Sequence, residues 1–233
     1  MTDELDNNRK DHFVALLRGA ANAIPFVGGV LGELVTSVIP GQRHDRIASY
    51  LRQLDHRIAA MNENEAKLAL SNPDKITLIE LGGYQAARST SENRIEHIVN
   101  VVFAGLSKAD SDTIRRNRLL SLLGEIDDDE ITILSAYGLS RGIYGHDAWT
   151  LINRPPPSHL GAGREIIDQN TLYELGTAHL LRLNLLSRRF SKPKKGELPE
   201  FDPDTGMMKG SVQISALGRL LLTEIGILDS SSI

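Results

Sequence analysis

Apolar positions recur every three or four residues along most of this chain, and that recurrence predicts a mainly helical protein. Phe13, Val14, Leu16 and Leu17 close a charged stretch that begins at Asp3, which suits a short helix over 3–18 with buried last turns. From Gln42, Ile47, Tyr50, Leu51, Leu54, Ile58 and Met61 share one face, with Arg43, Arg46, Arg52, Asp55 and Arg57 on others; this predicts a long amphipathic surface helix. A further helix starts near Pro73, where proline suits a first turn, and carries Ile76, Ile79 and Leu81 to Gly82 and Gly83. Those glycines permit a kink or close packing. Ser91 is placed to cap a helix bearing Ile95, Ile98, Val99, Val102, Phe103 and Leu106, and Asp110 to cap one bearing Ile114, Leu119, Leu120, Leu122 and Leu123. The acidic run from Asp127 to Glu130 precedes Ile131, Ile133, Leu134 and Tyr137. Negative charge favours a helix N-terminus, so the run reads as a cap and not as an ion site.

Between Gly138 and Gly163 the pattern weakens, and three prolines, Pro155, Pro156 and Pro157, forbid a continuing helix because each ring fixes φ and removes a donor. Helical spacing returns from Asn170 to Leu183 through Leu172, Leu175, Ala178, Leu180 and Leu181. The run from Leu183 to Phe190, a polar insert, and the run from Val212 to Ile227 then read as helix end, strand, long hairpin tip, strand and closing helix. This is the layout of a winged helix. The fold expected is therefore mainly α: an N-terminal helical bundle followed by a winged-helix module with a small two-stranded β-hairpin. Its domains are a helical domain over 1–145 with an apolar, glycine-containing helix at 24–40, a proline-containing connector over 146–168, and a winged-helix-like module over 169–233.

The segment from Gly19 to Gln42 contains one charged residue, Glu33. Phe26, Val27, Val30, Leu31, Leu34, Val35, Val38 and Ile39 leave no wide polar face, and Pro25 and Pro40 bracket them. A helix over 26–39 would be roughly 21 Å long at about 1.5 Å per residue, too short for about 30 Å of bilayer hydrocarbon. Two readings stand side by side. One is a central bundle helix surrounded by neighbours, with Gly28, Gly29 and Gly32 allowing close approach. The other is a membrane or partner helix exposed on activation, in which Glu33 must face a pore or a partner.

Composition narrows the chemistry. With 26 basic against 30 acidic residues and a net charge of -4, contact with nucleic acid must come from a local patch. Arg182, Arg188, Arg189, Lys192, Lys194 and Lys195 form such a patch, with no acidic residue among them before Glu197, and are the candidate phosphate-binding set. In a winged helix the second helix reads the major groove while the hairpin contacts phosphates. The outward positions expected on that helix, Asn170, Thr171, Glu174, Thr177 and His179, hold no arginine or lysine to read guanine edges. The alternative is a packing or dimerising unit whose lysines protect an exposed strand edge. The absence of cysteine removes disulfides, thiolate metal sites and a cysteine nucleophile, and no signal-peptide pattern opens the chain, so a cytoplasmic protein, peripheral to the membrane on activation, is expected.

Enzyme motifs do not emerge. The run from Gly28 to Gly32 lacks the dinucleotide-loop spacing, and neither a phosphate-binding Gly-x-x-x-x-Gly-Lys nor a Gly-x-Ser-x-Gly elbow occurs. The seven histidines (12, 44, 56, 97, 146, 159 and 179) show no ligand spacing, and each reads as a surface or capping residue. Asp202 to Gly206 resembles the start of a calcium loop, but Pro203 interrupts it and no glutamate stands at the twelfth position, so it reads as a turn. No catalytic residue, cofactor or metal is assigned.

The runs Arg94 to Leu106, Arg118 to Asp127 and Ile214 to Leu222, with the closing Leu217-Gly218, resemble those of bacterial abortive-infection alpha proteins over about the last 140 residues. That resemblance implies a non-enzymatic protein of phage defence and carries over no catalytic residues. The function expected is a non-enzymatic interaction protein with a membrane-responsive apolar helix, its partners another protein or a second copy; the alternative is a winged-helix DNA-binding regulator.

Overall fold

The apolar run that begins at Ile47 is buried along its length: Ile47, Tyr50, Leu51, Leu54 and Ile58 are each 2% exposed or less, on helix α1 (Gly41–Ala59), while Arg52 and His56 face solvent. The computed structural model describes residues 41–107, 113–139, 155, 161–190, 196, 198, 200–201, 208 and 210–229. The helices expected over 3–18 and 26–39, the cap at Asp110, and the turn at 202–206 lie outside these residues. By its contacts the chain divides into two compact units, Met1–Glu125 and Ile126–Ile233. The described residues are mainly helical, with eight helices and one small antiparallel sheet.

In the first unit, α1 is followed by α2 (Glu63–Ser71), α3 (Pro73–Arg88), α4 (Glu92–Ser107) and α5 (Thr113–Glu125). Helix α2 has no counterpart among the elements expected from the pattern. It buries only Ala66 and Ala69 and leaves Leu68 72% exposed, so its apolar stripe is too thin to register. Its ends are set by asparagine: Asn62 Oδ1 accepts from the Asn64 amide at 2.9 Å, and Asn72 closes α2 while its Oδ1 accepts from Asp74 to open α3. The buried face of α3 is also rotated from the expected Ile76, Ile79, Leu81 stripe. Leu78, Ile79, Gly82 and Ala86 are buried, and Leu81 is 40% exposed.

Helix α3 runs unbroken through Gly82 and Gly83, so there is no kink, and Gly82 serves close packing. A Cβ on Gly82 would lie 2.5 Å from the Tyr50 hydroxyl and 2.7 Å from Val102 Cγ2. That hydroxyl donates to the Ile79 carbonyl at 2.9 Å, and burial holds the phenol well above its ordinary pKa. Helix α4 packs on α1, α2, α3 and α5. It therefore buries Val101 in addition to the expected Ile95, Ile98, Val99, Val102 and Leu106. Ser91 opens it as expected, its Oγ accepting from the Arg94 amide at 3.2 Å. The carbonyls of α5 at Leu120 and Leu123 accept from the side chains of Gln85 and Arg94.

The second unit contains α6 (Asp128–Leu139), α7 (Arg164–Arg182), strands β1 (Leu186–Phe190) and β2 (Gly210–Ile214), and α8 (Ala216–Glu224). Its first residue lies before the boundary read near 145, because α6 packs on α7, α8 and β2. Burial around most of α6, from Glu130 to Gly138, leaves no single stripe to announce which neighbours it joins. The stretch read as connector to 168 is helical from Arg164 onward. Its N-cap, Gly163, makes no side-chain bond, so no start signal marks it.

Helix α7 ends in a Schellman turn. Asn184 takes φ 58°, its amide donates to the Leu181 carbonyl, and the Leu185 amide reaches back to the Leu180 carbonyl at 2.9 Å. The strands pair antiparallel with buried Leu186 opposite buried Ile214. Ser215 then joins three elements: its amide donates to the Leu185 carbonyl at 3.0 Å, its Oγ donates to the Asn184 carbonyl at 2.6 Å, and the same oxygen accepts from the Gly218 amide at 2.9 Å. A Cβ on Gly218 would collide with the Leu185 carbonyl oxygen. This is the physical reason for glycine in the closing Leu217-Gly218 turn.

In urea titrations, Gly82→Ala and Gly218→Ala are expected to lower the unfolding free energy by about 1–3 kcal/mol each, Gly218→Ala the more because backbone obstructs it. Gly163→Ala, with open space and a φ of -62°, is expected to stay within about 0.5 kcal/mol. Equal effects at all three positions would contradict the close-approach account.

Candidate functional site

Helix α6 begins with a reciprocal pair of side-chain caps. The Glu130 amide donates to Asp127 Oδ1 at 2.7 Å, and the Asp127 amide donates to Glu130 Oε2 at 2.9 Å. The acidic run is thus a cap, as its position before an apolar helix indicated. Glu130 is nevertheless 6% exposed, and a buried carboxylate requires further donors. His179 of α7 supplies one, its Nδ1 lying 2.6 Å from Glu130 Oε1. With Oε1 accepting, Nδ1 carries the hydrogen. One turn earlier, Gly176 lets α7 settle onto Ile133 and the Glu130 stem; a Cβ there would lie 3.2 Å from Ile133 Cδ1.

These contacts fix the rotation of α7 about its axis. Gly176 and Leu180 turn inward, and Leu172 and Leu175, which the helical spacing grouped with Leu180, turn outward with 68% and 65% exposure. Ile167, elsewhere on the helix, is 46% exposed. Of the outward positions expected, Thr171 and Glu174 are exposed, whereas Asn170, Thr177 and His179 are half-buried. The expectation failed because a glycine and a histidine, neither of which scores as apolar, define the inner face. Leu172 and Leu175 are the residues whose direction the helical spacing did not give.

Of the candidate phosphate ligands, Arg182, Arg188 and Arg189 are exposed. Arg182 ends α7, and Arg188 and Arg189 occupy adjacent positions of β1, opposite Val212 and Ser211, so their side chains leave opposite faces of the hairpin. They do not converge on one point. Lys192, Lys194 and Lys195 lie outside the described residues, as do Phe26, Val27, Val30, Leu31, Leu34, Val35, Val38 and Ile39. Farther along the hairpin, Phe190, Leu198 and Phe201 are exposed, and Phe201 bridges to Met208.

The first unit has a polar cleft of about 350 Å³ between the ends of α3 and α5. Its polar groups already serve the backbone: Gln85 and Arg94 hold α5 carbonyls, the Ser89 hydroxyl donates to the Gln85 carbonyl at 3.1 Å, and the Ser121 hydroxyl donates to the Asn117 carbonyl at 2.9 Å. The arrangement ties side chains to helix carbonyls. Among the described residues there is no cluster of three or more metal-ligating side chains, and no helix is long and apolar enough to cross a membrane. Comparison with protein-family models, curated proteins and solved structures finds no match to this chain.

Glu130→Ala is expected to destabilise the second unit by about 2–3 kcal/mol, because it removes a cap and leaves the His179 ring without its acceptor. A double-mutant cycle with His179→Ala should return a coupling of about 1 kcal/mol. Strict additivity would show that the pair does not set the position of α7.

Proposed function

We propose that this is a non-catalytic interaction protein whose C-terminal unit is a winged-helix-like module used for binding protein. The order of α6, α7, the β1–β2 hairpin and α8 agrees with that layout. One observation carries the reading: α7, the helix a DNA-binding winged helix would present to base edges, offers solvent Ile167, Leu172 and Leu175. Between Arg164 and Arg182 it has no arginine or lysine. Large exposed leucines on one helix face are costly to keep in water and form the apolar centre that protein interfaces use. The abortive-infection resemblance implies the same non-enzymatic class.

A second reading, contact with the nucleic-acid backbone, is favoured by three arginines. Arg182, Arg188 and Arg189 are exposed and form no ion pair among the described residues. On this reading the hairpin adds a salt-sensitive, sequence-independent affinity, because phosphates carry no sequence information.

Two measurements test the proposal. At dilute concentration, the double variant Leu172→Glu, Leu175→Glu should keep its unfolding free energy within about 0.5 kcal/mol, as expected of surface positions; a loss of several kcal/mol would make the face part of the chain's own core. Fluorescence anisotropy with duplex DNA should give weak binding that fades as salt is raised and does not distinguish sequences. A duplex bound about a thousandfold tighter than random DNA at physiological salt would establish a sequence-specific regulator instead.

A further inference from the structure

The outward face of α7 carries more than leucines. Glu165, Asp168, Leu172, Leu175 and Arg182 occupy a and d positions of one heptad seam, whose remaining position is His179, turned inward against Glu130. All five are exposed. Along this seam the charge is ordered: acidic at the N-terminal end, apolar in the middle, and basic at Arg182. Such a sequence is complementary to itself in one direction only. When two copies run antiparallel about a point midway between Leu172 and Leu175, Glu165 meets Arg182 and Leu172 meets Leu175. Both pairings share that midpoint. A parallel pair would set carboxylate against carboxylate and guanidinium against guanidinium.

We infer that two copies of this chain associate through α7, antiparallel across a two-fold axis between Leu172 and Leu175. This rests on reading the face as a protein-binding surface and names its occupant as a second copy. The symmetry is isologous, since the same patch serves both partners. Arg164 flanks the seam and lies 3.9 Å from Asp168 within its own chain. Asp168 is therefore the weaker of the two acidic positions, and Glu165 carries more of the directional preference. Gly176, which sets α7 onto α6, leaves the seam clear of the unit's own core. A single helix face covers less than the roughly 1,600 Å² of a standard interface, so the association belongs to the weak, concentration-dependent class.

Sedimentation of the full chain across micromolar concentrations is expected to show its mass rising toward twice that of the monomer. Leu172→Glu with Leu175→Glu should weaken the dimer about tenfold or more. Glu165→Arg alone and Arg182→Glu alone should each weaken it several-fold, and the two together in one chain should restore it, because the exchanged charges again face each other. Since the chain lacks cysteine, a mixture of Glu165→Cys and Arg182→Cys chains should form a disulfide-linked pair under mild oxidation, and Glu165→Cys alone should not.

A chain that remains monomeric throughout overturns self-pairing while leaving the leucine face as a site for another protein. A dimer indifferent to the leucine and charge variants overturns the inference by placing association elsewhere. Efficient linkage of Glu165→Cys to itself overturns the antiparallel direction. Destabilisation of the leucine variant at dilute concentration removes the interaction-face reading itself, a result separable from the other three.

Discussion

The second unit is organised around one buried carboxylate. Glu130 accepts from the Asp127 amide with one oxygen and from His179 with the other, while its own amide is capped by Asp127. Removing any of these partners would leave charge without compensation in a nearly water-free place. The demand for donors therefore ties the start of α6 to the last turn of α7, and Gly176 removes the side chain that would hold the helices apart. Once the rotation of α7 is set this way, the direction of every other residue on it follows. Leu172 and Leu175 face solvent because His179 and Leu180 cannot.

Hydrogen bonds at helix ends do comparable work elsewhere. The turn after α7 uses Asn184 in the left-handed region, and Ser215 links that turn, the end of β2 and the start of α8 through three bonds. The hairpin is thereby anchored at its base by Leu186, Ile214 and these bonds, while Arg188, Arg189 and Phe190 extend into solvent. In the first unit the corresponding economy is steric. Gly82 and Gly105 are the places where α3 meets Tyr50 and Val102, and where α4 meets Leu78 and the stem of buried Arg116.

For function, the contrast between the two surfaces of the second unit matters more than either alone. Three exposed arginines supply charge without convergence, and the face of α7 supplies apolar area with ordered charge at its ends. Long-range attraction to a phosphate backbone needs only the first. Selective recognition needs a surface whose shape and polarity reject other partners.

Much of the fold was legible in local pattern. The spacing from Ile47 to Ile58 announces α1, Ser91 and the acidic run before Ile131 announce the starts of α4 and α6, and the alternation after Leu183 announces a strand. These signals depend on neighbours a few residues apart, which is why the sequence by itself determined them. Helix α2, the grouping of α6 with the C-terminal elements and the early start of α7 were not legible, since alanines, all-round burial and a glycine N-cap leave weak traces. Above all, the apolar spacing of α7 states that leucines lie on the helix but not which way they face. Only the tertiary structure decided that, because the choice was made by a buried carboxylate and a histidine 49 positions apart in the chain.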